Sequence, residues 1–233
     1  MFSAHLFAQI TIPPGTILPV ALKSSLNSRK ARVGQVVIAR VMQDAPLPQG
    51  TIRAGSRVIG HITNVKQADA TSGAQVSLRF NTVATRKQRV QITTNLRALA
   101  SMMAVEAAQV PESGPDRGTS QNAWTTDQIG GEVVYRGGGP VANGLMPVGK
   151  PTNDGVLVYI SAKPGSKCRG DIEGNDRLQA TWIFSSDACG VYDIPNLEIP
   201  LVGRTNPVGE ITLASEKGEV NLRAGSGMLL RVE

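Results

Sequence analysis

Residues 12–62 read IPPGTILPVALKSSLNSRKARVGQVVIARVMQDAPLPQGTIRAGSRVIGHI. Apolar and β-branched runs alternate with turns marked by Gly15, Gly34, Pro46, Pro48, Gly50, Gly55 and Gly60. Short strands punctuated by Gly and Pro at this spacing build small antiparallel barrels or sandwiches. The stretch therefore predicts an all-β, mainly antiparallel fold, and it carries no catalytic motif.

Working outward, the same logic predicts strands at 16–23, 35–43 and 57–65. Pro19 marks the first as an edge or entry strand, because proline cannot donate to a ladder. Residues 75–84 set Val76, Leu78 and Phe80 inward against Ser77, Arg79 and Asn81 outward, and 88–95 answer with Val90 and Ile92 opposite Arg89 and Gln91. That alternation predicts a long hairpin with one wet face, and a core holding those inward residues with Leu18, Val20 and Leu22. At 96–109, Leu96, Leu99, Met103 and Ala107 recur at helical spacing before Pro111, which predicts the one helix. Further strands are expected at 132–136, 155–161 and 179–185, then a closing hairpin of 210–214 with 219–223 and a last strand at 228–232.

Ala54-Gly55-Ser56-Arg57-Val58-Ile59 echoes in Ala224-Gly225-Ser226-Gly227-Met228-Leu229, each copy preceded by Arg. The echo predicts that the last strands return to the first and close a single barrel. The expected organisation has residues 1–9 as the remnant of a leader or disordered, and 10–233 as one β domain. Within that domain 10–97 form the first barrel half, 98–204 a helix with loop-rich elaboration, and 205–233 the closing strands.

Composition narrows the function classes. Aromatics make up only 4% of the chain, so Val, Ile and Leu must fill the core. No apolar run approaches the roughly 20 residues of a membrane helix. Residues 1–110 carry 13 Lys/Arg against Asp44, Asp69 and Glu106, whereas 111–233 carry 11 against 15 Asp/Glu. A basic half attracts polyanions, but the preferred reading is that the two halves face each other or that the charges guard strand edges. Phe2, Phe7 and Phe80 are the only aromatics of the basic half, so it lacks stacking platforms and no specific nucleic-acid partner is expected.

Cys168 and Cys189 sit in Gly-containing turns 21 positions apart, and the intervening segment must fold one back toward the other for a bond to form. A disulfide is expected, with two buried thiols as the alternative. Such a bond suits an exported protein, periplasmic or secreted, and Ala8 after a short apolar run suits the end of a secretory signal. Two Cys and two distant His build no zinc site, and no metal or other cofactor is expected. The Gly-rich Arg136–Pro140 loop lacks the Walker lysine-hydroxyl pair and the spaced dinucleotide pattern. Arg169-Gly170-Asp171 spells an adhesion tripeptide, which arises readily by chance.

The order GTILPVAL, GQVVIARVMQD, LPQG and IRAGSRVIGHI resembles the C-terminal β-barrel of the outer-membrane-core subunit of bacterial type IV secretion and conjugation systems. Gly15-Thr16, Gly34 through Asp44, and Ile52 to Gly60 occupy the places of that family's opening strand, second strand and turn-strand unit. The resemblance covers about a quarter of the chain, residues 12–65. It implies a small envelope barrel that makes protein contacts. The family's cytoplasmic segment, inner-membrane helix and Pro-rich linker have no counterpart here, which favours a stand-alone exported protein.

The expectation is a non-catalytic envelope module binding a protein or a glycan. Candidate binding residues are Arg79, Asn81, Arg89 and Gln91 on the wet hairpin face, with Trp124, Tyr135 and Arg136 in the aromatic second half. The alternative is a cell-wall or polysaccharide hydrolase using Asp171, Glu173, Asp176 or Asp187, which needs two carboxylates across a cleft. His61, the one histidine in the folded body, lies on a predicted strand and reads as structural. The oligomeric state is left open.

Overall fold

The computed structural model describes residues 11–110, 125–135, 139–162 and 168–233. In chain order the first strands are β1 (Ile17–Leu22), β2 (Leu26–Asn27), β3 (Val36–Val41), β4 (Ala45–Leu47), β5 (Gly50–Ile52), β6 (Arg57–Lys66), β7 (Gln75–Ala84), β8 (Arg89–Gln91) and β9 (Thr94–Ala100). Helix α1 (Met102–Gln109) follows, then β10 (Thr125–Asp127), β11 (Val133–Tyr135), β12 (Val141–Asn143), β13 (Met146–Thr152), β14 (Gly155–Val158), β15 (Gly170–Asp171) and β16 (Gln179–Ala180). The chain ends with β17 (Gly190–Tyr192), β18 (Leu197–Glu198), β19 (Val202–Gly203), β20 (Ile211–Ser215), β21 (Asn221–Leu222) and β22 (Gly227–Val232).

The fold is all-β, with one helix among the described residues. A ten-stranded sheet runs β17-β9-β22-β1-β3-β6-β7-β20-β18, with β8 on β7, and a six-stranded sheet runs β10-β11-β12-β13-β14-β16. The large sheet curls so that its inner face packs on itself: Leu18, Val20, Val37, Val58, Val76, Leu78, Phe80, Leu96, Leu213 and Leu230 share one core. No ladder joins β17 to β18 among the described residues, so the sheet is curled but not hydrogen-bonded into a closed barrel.

As the echo predicted, β22 returns to β1, with Ile17 opposite Arg231 and Ala21 opposite Gly227. Four main-sheet strands begin with the same turn. In 13–16, 32–35, 53–56 and 223–226 the fourth residue's N–H reaches the first residue's carbonyl at 3.0–3.2 Å. The third residue is Gly15, Gly34, Gly55 or Gly225, at φ +79, +83, +86 and +90, the left-handed region that type II turns reserve for glycine. Each of these glycines donates to a residue of the neighbouring strand, Val232, Ile62, Val41 or Leu22, whose own N–H returns to the turn's fourth residue. The turns thereby lock β1 with β22 and β3 with β6 reciprocally.

These locks belong to an internal two-fold repeat. Ile17↔Arg231 and Ala21↔Gly227 in one half match Val36↔His61 and Arg40↔Arg57 in the other. The next ladder follows suit, Gly227↔Ala100 and Leu230↔Leu96 matching Arg57↔Ala84 and Gly60↔Phe80. Both ladders carry a β-bulge at the same place, between Leu229/Leu230 and between Ile59/Gly60. The dyad passes through the pair Ala21↔Arg40, since Val20↔Val41 and Leu22↔Ala39 exchange under it.

The halves differ in what lies outside them. The small sheet and α1 pack on the outer face of β1, β9 and β22, where Ile17, Ala21, Ala98, Ala100 and Leu229 meet Val105, Val134, Val156 and Phe184 in a second core. Buried polar side chains fasten this cover. Gln43 accepts from Trp182 N–H at 2.6 Å and donates to the Val156 carbonyl at 2.9 Å, and Gln179 accepts from Ile17 N–H at 3.0 Å.

Several expectations need correction. The helix starts at Met102, after the Ser101 cap that accepts from Ala104 N–H at 2.9 Å. Residues 94–100 are instead a strand buried at every position. A strand covered on both faces loses its period-2 alternation, and Leu96 with Leu99 then mimics a helical stripe. On α1 itself the buried residues are Val105 and Ala108, while Met103 is exposed.

Strand β8 is only three residues long, so the predicted hairpin is a short one. Leu18, Val20, Leu22, Val76, Leu78, Phe80 and Ile92 are buried as expected, and Val90 is half-buried. Strand β1 is central, not an edge. Pro19 is tolerated because it sits at the last rung toward β3, where its carbonyl accepts from Met42 N–H at 2.9 Å.

The expected closing hairpin does not form: β20 pairs with β7 and β18, and β21 with β2. The strand expected over 179–185 shrinks to Gln179–Ala180, followed by turns. Cys168 and Cys189 are bonded, with Cα atoms 5.5 Å apart. Gly170–Asp171 pairs with β19, so the adhesion-like tripeptide is partly a sheet rung.

Candidate interaction surface

Among the described residues no layer covers the outer face of β3, β6 and β7, and cross-strand register arranges its side chains in rows. Directly opposed residues point to one face. The first row is therefore Arg40, Arg57, Ala84 and Arg89, and the second Ile38, Ile59, Thr82 and Gln91. The third is Val36, His61 and Arg79, extended by Glu210, which pairs with Arg79 at 3.4 Å. Val36 is 59% exposed, and Ile38 and Ile59 are half-buried. An aliphatic strip thus lies between a cationic end and a mixed polar end.

Beyond the first row the 53–56 turn and the 85–88 turn enclose a cleft of about 740 Å³, lined by Asp44, Arg53, Arg57, Ala84, Arg86 and Lys87 among others. Asp44 is already engaged: it accepts from Ala54 N–H at 2.8 Å and pairs with Arg53. These contacts hold its carboxyl below the usual carboxylate range, the Ala54 N–H contributing most. Among the described residues no carboxylate lies within ion-pair distance of Arg40, Arg57, Arg86, Lys87 or Arg89.

The predicted hairpin face is therefore present, and larger than the sequence indicated. Arg79, Arg89 and Gln91 stand on it. Asn81 is the extra residue of the β7 bulge, its Oδ1 accepting from Thr82 Oγ1 at 3.1 Å. Sequence reasoning missed Arg40, Arg57, Ile38 and Ile59, whose membership depends on the β3–β6–β7 register. The available signal was the alternation of 36–41, with Val36, Ile38 and Arg40 on one face.

Trp124 and Arg136 lie outside the described residues, as does the side chain of Tyr135, which ends β11. The remaining aromatics of the second half do not gather at a surface: Trp182 and Phe184 are buried, Tyr192 half-buried and Tyr159 exposed. His61 is not buried within the fold. It stands on the outer face between Val36 and Arg79.

The charges divide between contact and exposure. Arg29–Glu219 and Arg79–Glu210 join the basic and acidic halves, as expected, but the cationic row does not take part. Of the turn acids, Glu173 is held by Arg231, which lowers its carboxyl, and Asp187 accepts from Asn143 at 2.9 Å. The side chain of Asp171 lies outside the described residues.

Two buried ionisable groups sit under the cover instead. Arg97 is 2% exposed and donates to the carbonyls of Ala188, Ser161, Ser186 and Glu173 at 2.9–3.5 Å. Burial pushes its guanidinium down to about 10, so it stays charged at neutral pH. Glu132 accepts from the N–H and hydroxyl of Ser186, and burial raises its carboxyl. Both hold loops in place.

Comparison with protein-family models, curated proteins and solved structures gives no match. The candidate site therefore rests on this chain's own geometry.

Proposed function

We propose that the protein is a non-catalytic interaction module of the bacterial envelope that binds a partner through the outer face of β3, β6 and β7. The observation that supports this reading is the unequal treatment of two equivalent faces. One half of the repeat buries Leu229 completely under its own cover, whereas the matching Ile59, with Ile38 and Val36, is left partly in water. An exposed aliphatic strip rimmed by charge is the usual build of an interaction site.

Export is supported by the Cys168–Cys189 bond, which persists in oxidising compartments. The resemblance of residues 12–65 to the secretion-core barrel points the same way, toward protein contacts. No helix among the described residues is long and apolar enough to cross a membrane.

The test places a photo-crosslinking residue at Ile59 or Ile38 in the protein expressed in bacterial cells. Leu145, fully exposed on the covering sheet, serves as the control position. A discrete adduct from Ile59 and Ile38 but not from Leu145 is the expected result. Equal labelling at all three positions, or none at Ile59, overturns the assignment of this face.

A further inference from the structure

We propose that the cleft between the 53–56 and 85–88 turns docks an acidic polypeptide segment, whose carboxylates meet the cationic row while its apolar side chains lie on Ile38 and Ile59. The inference rests on the face assigned above and adds the chemistry of what binds there.

The covered half shows what a close-packed version of this surface looks like. There the row matching Arg40, Arg57 and Ala84 is Ala21, Gly227 and Ala100. Gly227 lacks a side chain because a Cβ would stand 2.9 Å from Val105 and 3.3 Å from the Phe184 ring. Met102 fits over the matching turn as closely, 3.0 Å from the Cβ position of Gly225.

The open half departs from this pattern at the same positions. Nothing lies within 4 Å of the Cβ position of Gly55, and Arg57 stands where Gly227 does. An apolar helix or sheet laid here would strand guanidinium groups away from water, which costs several kcal/mol per ion. Whatever covers this end must bring anions with it.

Five side chains supply the cationic charge: Arg40, Arg57 and Arg89 along the row, with Arg86 and Lys87 on the adjoining turn. Asp44, the one carboxylate lining the cleft among the described residues, is occupied by Arg53 and Ala54. A cleft concentrating one sign of charge attracts the opposite sign from solution. The second row then decides between kinds of polyanion. It offers aliphatic side chains and no aromatic ring, which suits the apolar residues of a peptide and gives no platform for bases.

Poly-L-glutamate and oligothymidylate of matched charge are the probes, each titrated into the full ¹⁵N-labelled chain at low salt. The expected result is that poly-L-glutamate binds more tightly, with amide shifts concentrated at 40, 57 and 84–91 and weakening as ionic strength rises. The double variant Arg57→Glu/Lys87→Glu lowers its affinity by about tenfold or more, and Lys30→Glu/Lys66→Glu leaves it within about twofold. All four positions are exposed, and Arg89→Glu alone provides a second variant should the double one misfold.

Equal or tighter binding of the oligonucleotide at the same amides overturns the proposal in favour of a phosphate polymer. Shifts spread evenly over the basic half, or absent from 84–91, also overturn it. Crosslinking at Ile59 separates the two readings. If it persists in cells carrying Arg57→Glu/Lys87→Glu while poly-L-glutamate fails to bind, the acidic partner is wrong and the interaction face stands.

Discussion

The two halves of the large sheet share a backbone and differ in their outer faces. Ala21, Gly227 and Ala100 lie flat beneath Phe184 and α1, while on the same rungs of the open half Arg40 and Arg57 stand exposed beside a buried Ala84. The bulge does opposite work in the two places. In the covered half it turns Arg97 outward into four loop carbonyls; in the open half it presents Asn81, whose side chain accepts from the neighbouring Thr82 hydroxyl. Side-chain volume and charge along one row decide whether a layer can pack, and the shared ladder does not.

The sharpest way to break this comparison is to exchange the row residues. Gly227→Arg forces a guanidinium against Val105 and Phe184, and is expected to cost about 5 kcal/mol or more. Arg57→Gly in the open half is expected to cost about 0.5–1 kcal/mol, the usual penalty of glycine in a strand. Urea unfolding of the two variants measures both. Similar losses at the two sites would show that the cover contributes little.

The bulge residues give a smaller contrast. Arg97→Met leaves up to four buried or part-buried carbonyls without their donor and is expected to lose about 3–4 kcal/mol. Asn81→Ala is expected to lose about 1 kcal/mol or less. Thermal or urea unfolding again decides, and an Arg97 loss no greater than that of Asn81 would mean that the loops of the cover hold without it.

How much of this was legible follows from the same residues. The open half was readable because its outer face preserves alternation, Val76, Leu78 and Phe80 against Arg79. Ser77, also expected in water, is instead 2% exposed, because β20 pairs beside it and its hydroxyl meets that of Thr212 at 3.1 Å. The covered half was not, because burial on both faces of β9 erases that alternation and leaves Leu96 and Leu99 at helical spacing. The covering sheet was only partly legible. Strands are expected at 132–136, 155–161 and 179–185, where β11, β14 and β16 lie, whereas β10, β12 and β13 are missed. Its strands run two to seven residues, and the longest, Met146–Thr152, contains two prolines and a glycine. The repeat announced itself only through the two AGS turns. Its paired strands, ILPVAL with VVIARV and GMLLRV with RVIGHI, share a register and few residues.

The two-fold relation ends at the strands beyond β9 and β7. On the covered side β17 joins β9 in parallel, and the Cys168–Cys189 bond closes a 21-residue separation just before it. On the open side β20 joins β7 antiparallel. Replacing both cysteines by serine is expected to lower stability by roughly 3 kcal/mol on the loop-entropy estimate. Hydrogen exchange should then accelerate at β17 before β20, whereas uniform acceleration of both would show that the bond stabilises the whole sheet alike.

The smallest expected effect concerns the paired turns, and it isolates the cover from the backbone. Gly55 and Gly225 have nearly the same conformation, φ +86 and +90, so alanine at either meets the same left-handed strain, about 1–2 kcal/mol. Their surroundings differ: no atom lies within 4 Å of the Gly55 Cβ position, and Met102 Cγ lies 3.0 Å from that of Gly225. Gly225→Ala should therefore cost more than Gly55→Ala by the amount needed to shift Met102. Because that side chain is flexible, the excess should be about 1 kcal/mol or less. Repeating both substitutions in a Met102→Ala background should bring the two losses together, since the strain is common and only the contact differs. A difference that survives in that background would place its origin in the turns themselves, and the equivalence of the two halves would fail at the bonds that define it.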